Sequence, residues 1–241
     1  MLNEQACIAS FIDRMQAELA RLVQSWEIIV VDDGSTDRTR EIVDARARRD
    51  RRVRLLHMDH RGKGAAVKHG LLEARGTWRF MADADLAMPP DNLSRFLEAA
   101  QAQPRPDLAI GSREAPGARR VGEPWPRHAI GRIFNWVVRC VAVPGVQDTQ
   151  CGFKLLHADA VRRVVPHLTV DGFAFDVEML VLARRAGLTV REVGITWFAR
   201  GDSRVSLGRG AAAFLDILKI RWRLAGRSEP GNGRPISDSR P

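Results

Sequence analysis

The 241-residue chain has no tyrosine, three cysteines and no long apolar run. With nine phenylalanines and six tryptophans as its whole aromatic stock, it has few parts for an aromatic platform that stacks single-stranded nucleic acid. Cys7, Cys140 and Cys151 form no ligand-like pair and leave one over, which excludes a disulfide scaffold and reads as reduced thiols in a cytosolic protein. The best apolar stretch, Ile133 to Val146, is interrupted by Asn135, Arg139 and Pro144, short of the roughly 18 uninterrupted residues of a membrane span. Asn3, Glu4 and Gln5 stand where a leader would carry a basic and then an apolar segment, so none is expected.

Acidic residues are outnumbered, 29 against 38 Lys and Arg, for a net charge of +9. The surplus suits an anionic partner: a nucleotide, a phosphorylated lipid, an acidic membrane or a nucleic acid. The remaining composition, 45% hydrophobic and 28% charged, is that of a globular domain.

Helical spacing of Ile8, Phe11, Ile12, Met15, Leu19 and Leu22 is followed by the β-branched run Ile28 to Val31. That run has the composition of a strand buried on both faces. The cycle repeats: a helix to about Arg48, a strand at Val53 to Leu56, a helix at Ala65 to Ala74, a strand at Trp78 to Ala82, a helix at Asp91 to Ala100 and a strand at Asp107 to Gly111. Strands alternating with helices predict an α/β domain, a mostly parallel sheet with helices on both faces. Further on, Arg113 to Arg127 reads as a mobile loop, and helices are expected at about His128 to Val143, Ala158 to Val165 and Phe175 to Ala186. A strand at Leu188 to Val193, a basic loop and an amphipathic helix from Gly210 to Leu224 complete the pattern. The sequence thus predicts one domain over 1–226, in two halves, 1–112 and 113–226, and a disordered tail over 227–241.

Ligands of open α/β sheets bind beyond the carboxyl ends of the strands. Those ends deliver Asp32 and Asp33, then Arg61 and Lys63, then Asp83 and Asp85. A locally extended backbone would point Asp83 and Asp85 the same way, and two carboxylates with substrate phosphate oxygens suit Mg²⁺ or Mn²⁺. Ser35 or Thr36 is expected to cap the next helix, leaving an aspartate for a base or a ribose hydroxyl. Lys63, between two glycines, suits a phosphate. Arg200 and Arg204, in a Gly-Ser loop, suit bidentate phosphate contacts.

These residues resemble family 2 glycosyltransferases, which have the GT-A fold and use a nucleotide-sugar with a divalent metal. The likeness rests on Asp32-Asp33-Gly34-Ser35-Thr36-Asp37, Gly62-Lys63-Gly64-Ala65-Ala66, Asp83-Ala84-Asp85 and Gly111-Ser112-Arg113. Asp148-Thr149-Gln150-Cys151-Gly152-Phe153-Lys154 and Phe175-Asp176-Val177-Glu178 resemble the branch that makes polyprenyl-phosphate sugars, the glucosyl members before the mannosyl ones. The resemblance implies that Asn3, Glu4, Asp33 and Lys63 face the nucleotide. It further implies that Asp83 and Asp85 bracket ribose and metal, Asp85 as the direct ligand, and that Arg113, Arg200 and Arg204 lie near sugar or phosphates. In the family a strand precedes the segment matched by Asn3-Glu4, so the first strand is expected to be missing here.

The expected reaction is inverting transfer of a sugar, glucose from UDP-glucose before mannose from GDP-mannose, to a polyprenyl or dolichyl phosphate. A phosphate acceptor is already ionised and needs no general base. A hydroxyl acceptor would need one, with Asp176 or Glu178 as candidates. The basic helix 210–224 would rest on a membrane surface or pack on the sheet, and the membrane contact would place the protein on the cytoplasmic face. Two rival readings are a phosphoryl or nucleotidyl transferase and a non-enzymatic anion-binding module. The aspartate pair on a later strand, Ala87 two residues beyond it, and the lack of a Gly-rich opening disfavour the first, while the pair itself disfavours a nucleic-acid or membrane binder.

Overall fold

A computed structural model describes residues 1–123 and 143–199, with 125, 132, 138, 222 and 223. Helix α1 (Ile8–Leu22) buries Ile8, Phe11, Ile12 and Met15, the spaced apolar residues of one helical face. It is followed by β1 (Ile28–Asp33), α2 (Thr39–Arg49), β2 (Val53–Met58), α3 (Lys63–Glu73) and β3 (Trp78–Met81). A 3₁₀ turn at Pro90–Asn92 leads into α4 (Leu93–Gln101), then β4 (Leu108–Ser112) and β5 (Arg119–Val121). The later elements are β6 (Lys154–His157), α5 (Ala158–Val164), α6 (Phe175–Arg185), β7 (Val190–Gly194) and β8 (Thr196–Phe198).

Strands β1 and β2 pair in parallel, and a four-stranded sheet runs in the order β3-β6-β4-β7. One apolar cluster joins the two sheets, with Ile28 and Val30 of β1 and Phe80 of β3 in the same group. At the free edge of β1, the Met1 ammonium donates to the Val31 carbonyl at 2.7 Å and Asp33 N donates to the Met1 carbonyl at 2.8 Å. These two bonds lie on the edge of β1 where the family's first strand was expected to be missing.

Three strands escaped the sequence reading. Residues 119–121, expected within a mobile loop, form β5 and pair in parallel with β8. Strand β6 carries the sheet's one reversal: it lies antiparallel between β3 and β4, with Lys154 opposite Met81 and Ile110. An antiparallel strand starts where its neighbours end. The segment 148–153 is therefore delivered to the carboxyl rim of β3 and β4. Most of the amphipathic helix 210–224 and of the helix 128–143, with Arg200, Arg204 and the tail 227–241, lie outside the described residues.

Candidate active site

The ends of β1, β2 and β3 converge as the pattern requires. Asp33, almost fully buried, accepts hydrogen bonds from Arg61 N at 2.8 Å and Gly62 N at 3.0 Å, and its Oδ2 lies 2.8 Å from His60 Nδ1. That carboxylate fixes the loop ahead of α3. Gly62, at φ +130°, has the backbone freedom the turn needs. Lys63 opens α3, and its Nζ reaches Asp83 Oδ1 at 2.6 Å, with both side chains about one-quarter exposed. Burial pulls the Lys63 ammonium down, but Asp83, Asp176 and Asp85 outweigh it, so the charge is held above its ordinary range.

Asp85 departs from the extended geometry expected of it. The chain turns after Asp83, Leu86 takes a left-handed φ of +58°, and Asp85 Oδ1 accepts from Ala87 N at 3.0 Å. The turn's own hydrogen bond sets this carboxylate, not strand alternation. Asp83 is seated differently. A Cβ on Gly152 would collide with its carboxylate oxygen, so the bare backbone of 151–153 forms the floor on which Asp83 rests. The two partly exposed carboxylates offer only hard oxygen donors, which fit a small divalent cation.

Asp32, by contrast, is fully buried. It accepts from Ser35 N at 3.2 Å and Arg40 Nε at 2.8 Å and lies 3.1 Å from His57 Nδ1. Burial raises its pKa, but these hydrogen bonds together bring it below the usual carboxylate range. It is committed to the β1–α2 turn and is not free for a base or a ribose. Nor do Ser35 and Thr36 cap α2. Asp37 accepts from Thr39 N at 2.9 Å, while the Ser35 hydroxyl accepts from Asn3 N and Asn3 Oδ1 accepts from Thr36 N, both at 2.9 Å. Glu4 N donates to the Thr39 hydroxyl at 2.9 Å. Asn3 and Glu4 therefore lace the N-terminal segment onto the β1–α2 loop.

Arg113, expected near the sugar, forms a two-pronged pair with the fully buried Asp148, at 2.7 and 2.9 Å, with its guanidinium 5.4 Å from the Trp197 ring. Burial alone would raise the Asp148 pKa, yet Arg113 brings it below the ordinary range. The pair ties the end of β4 to the 148–153 segment. Buried Cys151 has its thiol pushed up to about 12 by burial first and Asp148 second, which leaves it inert as a nucleophile.

Both carboxylates considered as general bases are buried. Asp176 Oδ1 accepts from Lys154 Nζ at 2.5 Å, with side chains 5% and 0% exposed respectively. Glu178 accepts from Thr169 N, the Thr169 hydroxyl and Val170 N at 2.9, 2.6 and 2.9 Å, so it caps the loop before α6. The role of Lys154 was missed because nothing in Cys151-Gly152-Phe153-Lys154 signals that a reversed strand would begin there.

Solved structures share this architecture. Mannosyl-3-phosphoglycerate synthase from Rubrobacter xylanophilus superposes with a TM-score of 0.72 at 18% identity, over 96% of this chain and 74% of that one. Glucosyl-3-phosphoglycerate synthase from Mycobacterium tuberculosis, in complex with Mn²⁺, uridine diphosphate and phosphoglyceric acid, gives 0.70 at 18% identity, over 96% and 78%. The fold is that of the GT-A glycosyltransferases.

Sequence relatives narrow the class. A dolichyl-phosphate beta-glucosyltransferase of Trichomonas vaginalis is 35% identical over 253 residues, covering 98% of this chain and 74% of that protein. The enzyme of the same name from Dictyostelium discoideum is 33% identical over 234 residues, covering 92% and 72%. Residues 1–165 match Glycosyl transferase family 2, and the chain belongs to that family.

Proposed function

We propose that the protein moves glucose from UDP-glucose to a polyprenyl or dolichyl phosphate, with inversion at the sugar and with a divalent cation, Mg²⁺ or Mn²⁺, at Asp83 and Asp85. The activity named for the relatives supports the acceptor. The observation that carries the reading is the burial of the two candidate bases: Asp176 is bonded to Lys154 and Glu178 to three groups of the 169–170 loop. A hydroxyl acceptor would need a base at the rim, whereas a phosphate monoester oxygen attacks already ionised. The task left to the chain is to position two anions and offset their charge.

Asp85, with its turn fixed by Ala87 N, is the direct metal ligand in this reading, and Asp83 faces ribose and metal. The cation would supply charge neutralisation to the departing diphosphate. Lys63, at the start of α3, adds a positive charge at the same place. Asn3, Glu4 and Asp33 border the nucleotide side, Arg113 holds the wall at the end of β4, and Arg200 and Arg204 are proposed phosphate contacts. The two halves, 1–112 and 113–226, divide donor from acceptor. No helix among the described residues is long and apolar enough to cross a membrane, and a lipid acceptor calls for peripheral contact with a membrane surface, proposed to be the cytoplasmic face.

The test is incubation of purified protein with UDP-glucose or GDP-mannose, Mn²⁺ or Mg²⁺, and a short-chain polyprenyl phosphate in detergent, with mass spectrometry of the lipid fraction. A hexosyl-phosphate lipid is expected from UDP-glucose. Asp85→Ala should lower kcat/KM by about 10²–10³-fold, several kcal/mol of charge stabilisation. A product from GDP-mannose alone would replace the donor, and turnover only with a non-lipid acceptor would sink the lipid reading.

A further inference from the structure

The pair Lys154–Asp176 sits at the bottom of the site with no access to a substrate. Lys154 is the first residue of β6, level with Met81 of β3, two residues before Asp83. Its Nζ is shared between the Cys151 carbonyl and Asp176 Oδ1, each at 2.5 Å. Leu156 of the same strand, and Phe175 and Met179 of the helix that carries Asp176, belong to one buried apolar cluster. A buried ion pair is a poor way to stabilise such a place, because desolvation of both charges offsets their attraction and well-packed apolar residues do as well. Its position suggests another use.

Directly above is the start of α3. Gly64 N donates to the Asp171 carbonyl at 2.7 Å, and a Cβ on Gly64 would press into the Val170 carbonyl and Phe175 Cβ. The first turn of α3 thus lies against the first turn of α6, which brings Lys63 above Asp176. Each of these two groups feels the other's charge. Four charges alternate down the site: Asp83, Lys63, Asp176, Lys154. The upper pair is partly exposed and the lower pair is not.

We propose that Lys154 and Asp176 are positioning residues, a buried counter-ion that keeps Lys63 aimed at the diphosphate when Asp83 is engaged elsewhere. The assignment rests on the reading of Asp83 and Lys63 given above and extends it. Asp83 holds Lys63 through their 2.6 Å ion pair. Were Asp83 to turn to a cation and the ribose, Lys63 would lose that partner, and the Asp176 carboxylate beneath it would be the remaining counter-charge. Burial pushes the Asp176 carboxyl up, the Lys154 and Lys63 charges pull against it, and the Lys154 ammonium bonded to it is the partner that favours its charged form.

The experiment uses the full chain and the double variant Lys154→Met/Asp176→Leu, which replaces both charges and so avoids stranding either one. Lys63→Ala is made in the wild-type and in the double-variant background. Thermal unfolding reports folding, and calorimetric binding of UDP with Mn²⁺, or of GDP if UDP does not bind, reports the site. The double variant should unfold within a few degrees of wild type, yet bind the diphosphate at least about tenfold more weakly, 1.4 kcal/mol. The donor KM should rise by a similar factor with little change in the acceptor KM. Lys63→Ala should then cost much less in the double variant than in wild type, the non-additivity of coupled residues. Diphosphate affinity within twofold of wild type in a folded double variant would make the pair merely structural. Equal costs of Lys63→Ala in both backgrounds would also overturn the proposal. Should the double variant not fold, Asp176→Asn, which keeps the shape and loses the charge, is read in the same way. A wild-type chain that binds the diphosphate and makes no lipid-linked sugar would refute the acceptor and leave this inference standing; one that binds neither UDP nor GDP would refute both.

Discussion

Arg113 and Asp148 show how a single residue can be drawn from an expected ligand contact into the frame. The carboxylate is fully buried and takes both prongs of the guanidinium and the Arg113 N–H. Removing one member strands the other, so Arg113→Met should cost about 3–5 kcal/mol, read by denaturant unfolding at neutral pH. Because Asp148 titrates below its ordinary value of 3.8 when folded, the unfolded chain binds its proton first as pH falls. The stability this carboxylate contributes is therefore complete above about pH 4 and is lost as pH drops through the depressed folded value. Asp148→Asn should flatten that acid limb, measured as Tm against pH from neutrality downward. An unchanged slope would show that Asp148 is not depressed. Asp32, also lowered, adds a separate share that Asp148→Asn leaves in place.

At the scale of elements, the backbone of the 151–153 segment does work that no side chain advertises. Asp83 rests on Gly152 so closely that a methyl group there would overlap its carboxylate. Gly152→Ala should push Asp83 off its seat and away from Lys63, lowering kcat/KM by more than tenfold through the donor and metal terms. Stability should fall by only about 1–3 kcal/mol, the usual range for overpacking. Donor KM, metal dependence and Tm of the variant decide the matter, and normal metal dependence would contradict this seating. The β-branched runs and helical spacings made β1 to β4 and α1 to α4 legible, because the helices carry spaced apolar residues while β1 and β4 are short apolar runs buried along nearly their whole length. Lys63, Asp83 and Asp33 were legible for the same reason, standing at the ends of readable strands. Strand β6 was not: its four residues follow a loop of mixed polarity, and their fully buried state comes from insertion between β3 and β4, a long-range event with no local signal. The extended reading of Asp83 and Asp85 failed at Leu86, where a left-handed turn replaces strand alternation.

The whole molecule carries +9, and the proposed lipid-phosphate acceptor would be met at a membrane surface. Two exposed apolar residues, Val121 and Phe198, face each other in register across the β5–β8 pair, and exposed Arg119 lies on the same strand as Val121. Basic residues near an anionic bilayer contribute about 1 kcal/mol each, and their attraction fades beyond a Debye length, about 10 Å at 0.1 M salt. Apolar side chains that enter the headgroup layer add a part that salt does not remove. The protein should therefore sediment with vesicles containing about one-third anionic phospholipid at about 50 mM salt, and much less with neutral vesicles. Raising the salt to about 500 mM should release most of it, with any salt-resistant remainder reduced by Phe198→Ser. Equal binding to neutral and anionic vesicles would assign the contact to apolar insertion and not to charge. No binding to either, from a protein that still glucosylates a detergent-dispersed polyprenyl phosphate, would separate lipid-acceptor chemistry from membrane attachment and leave the net charge to the nucleotide alone.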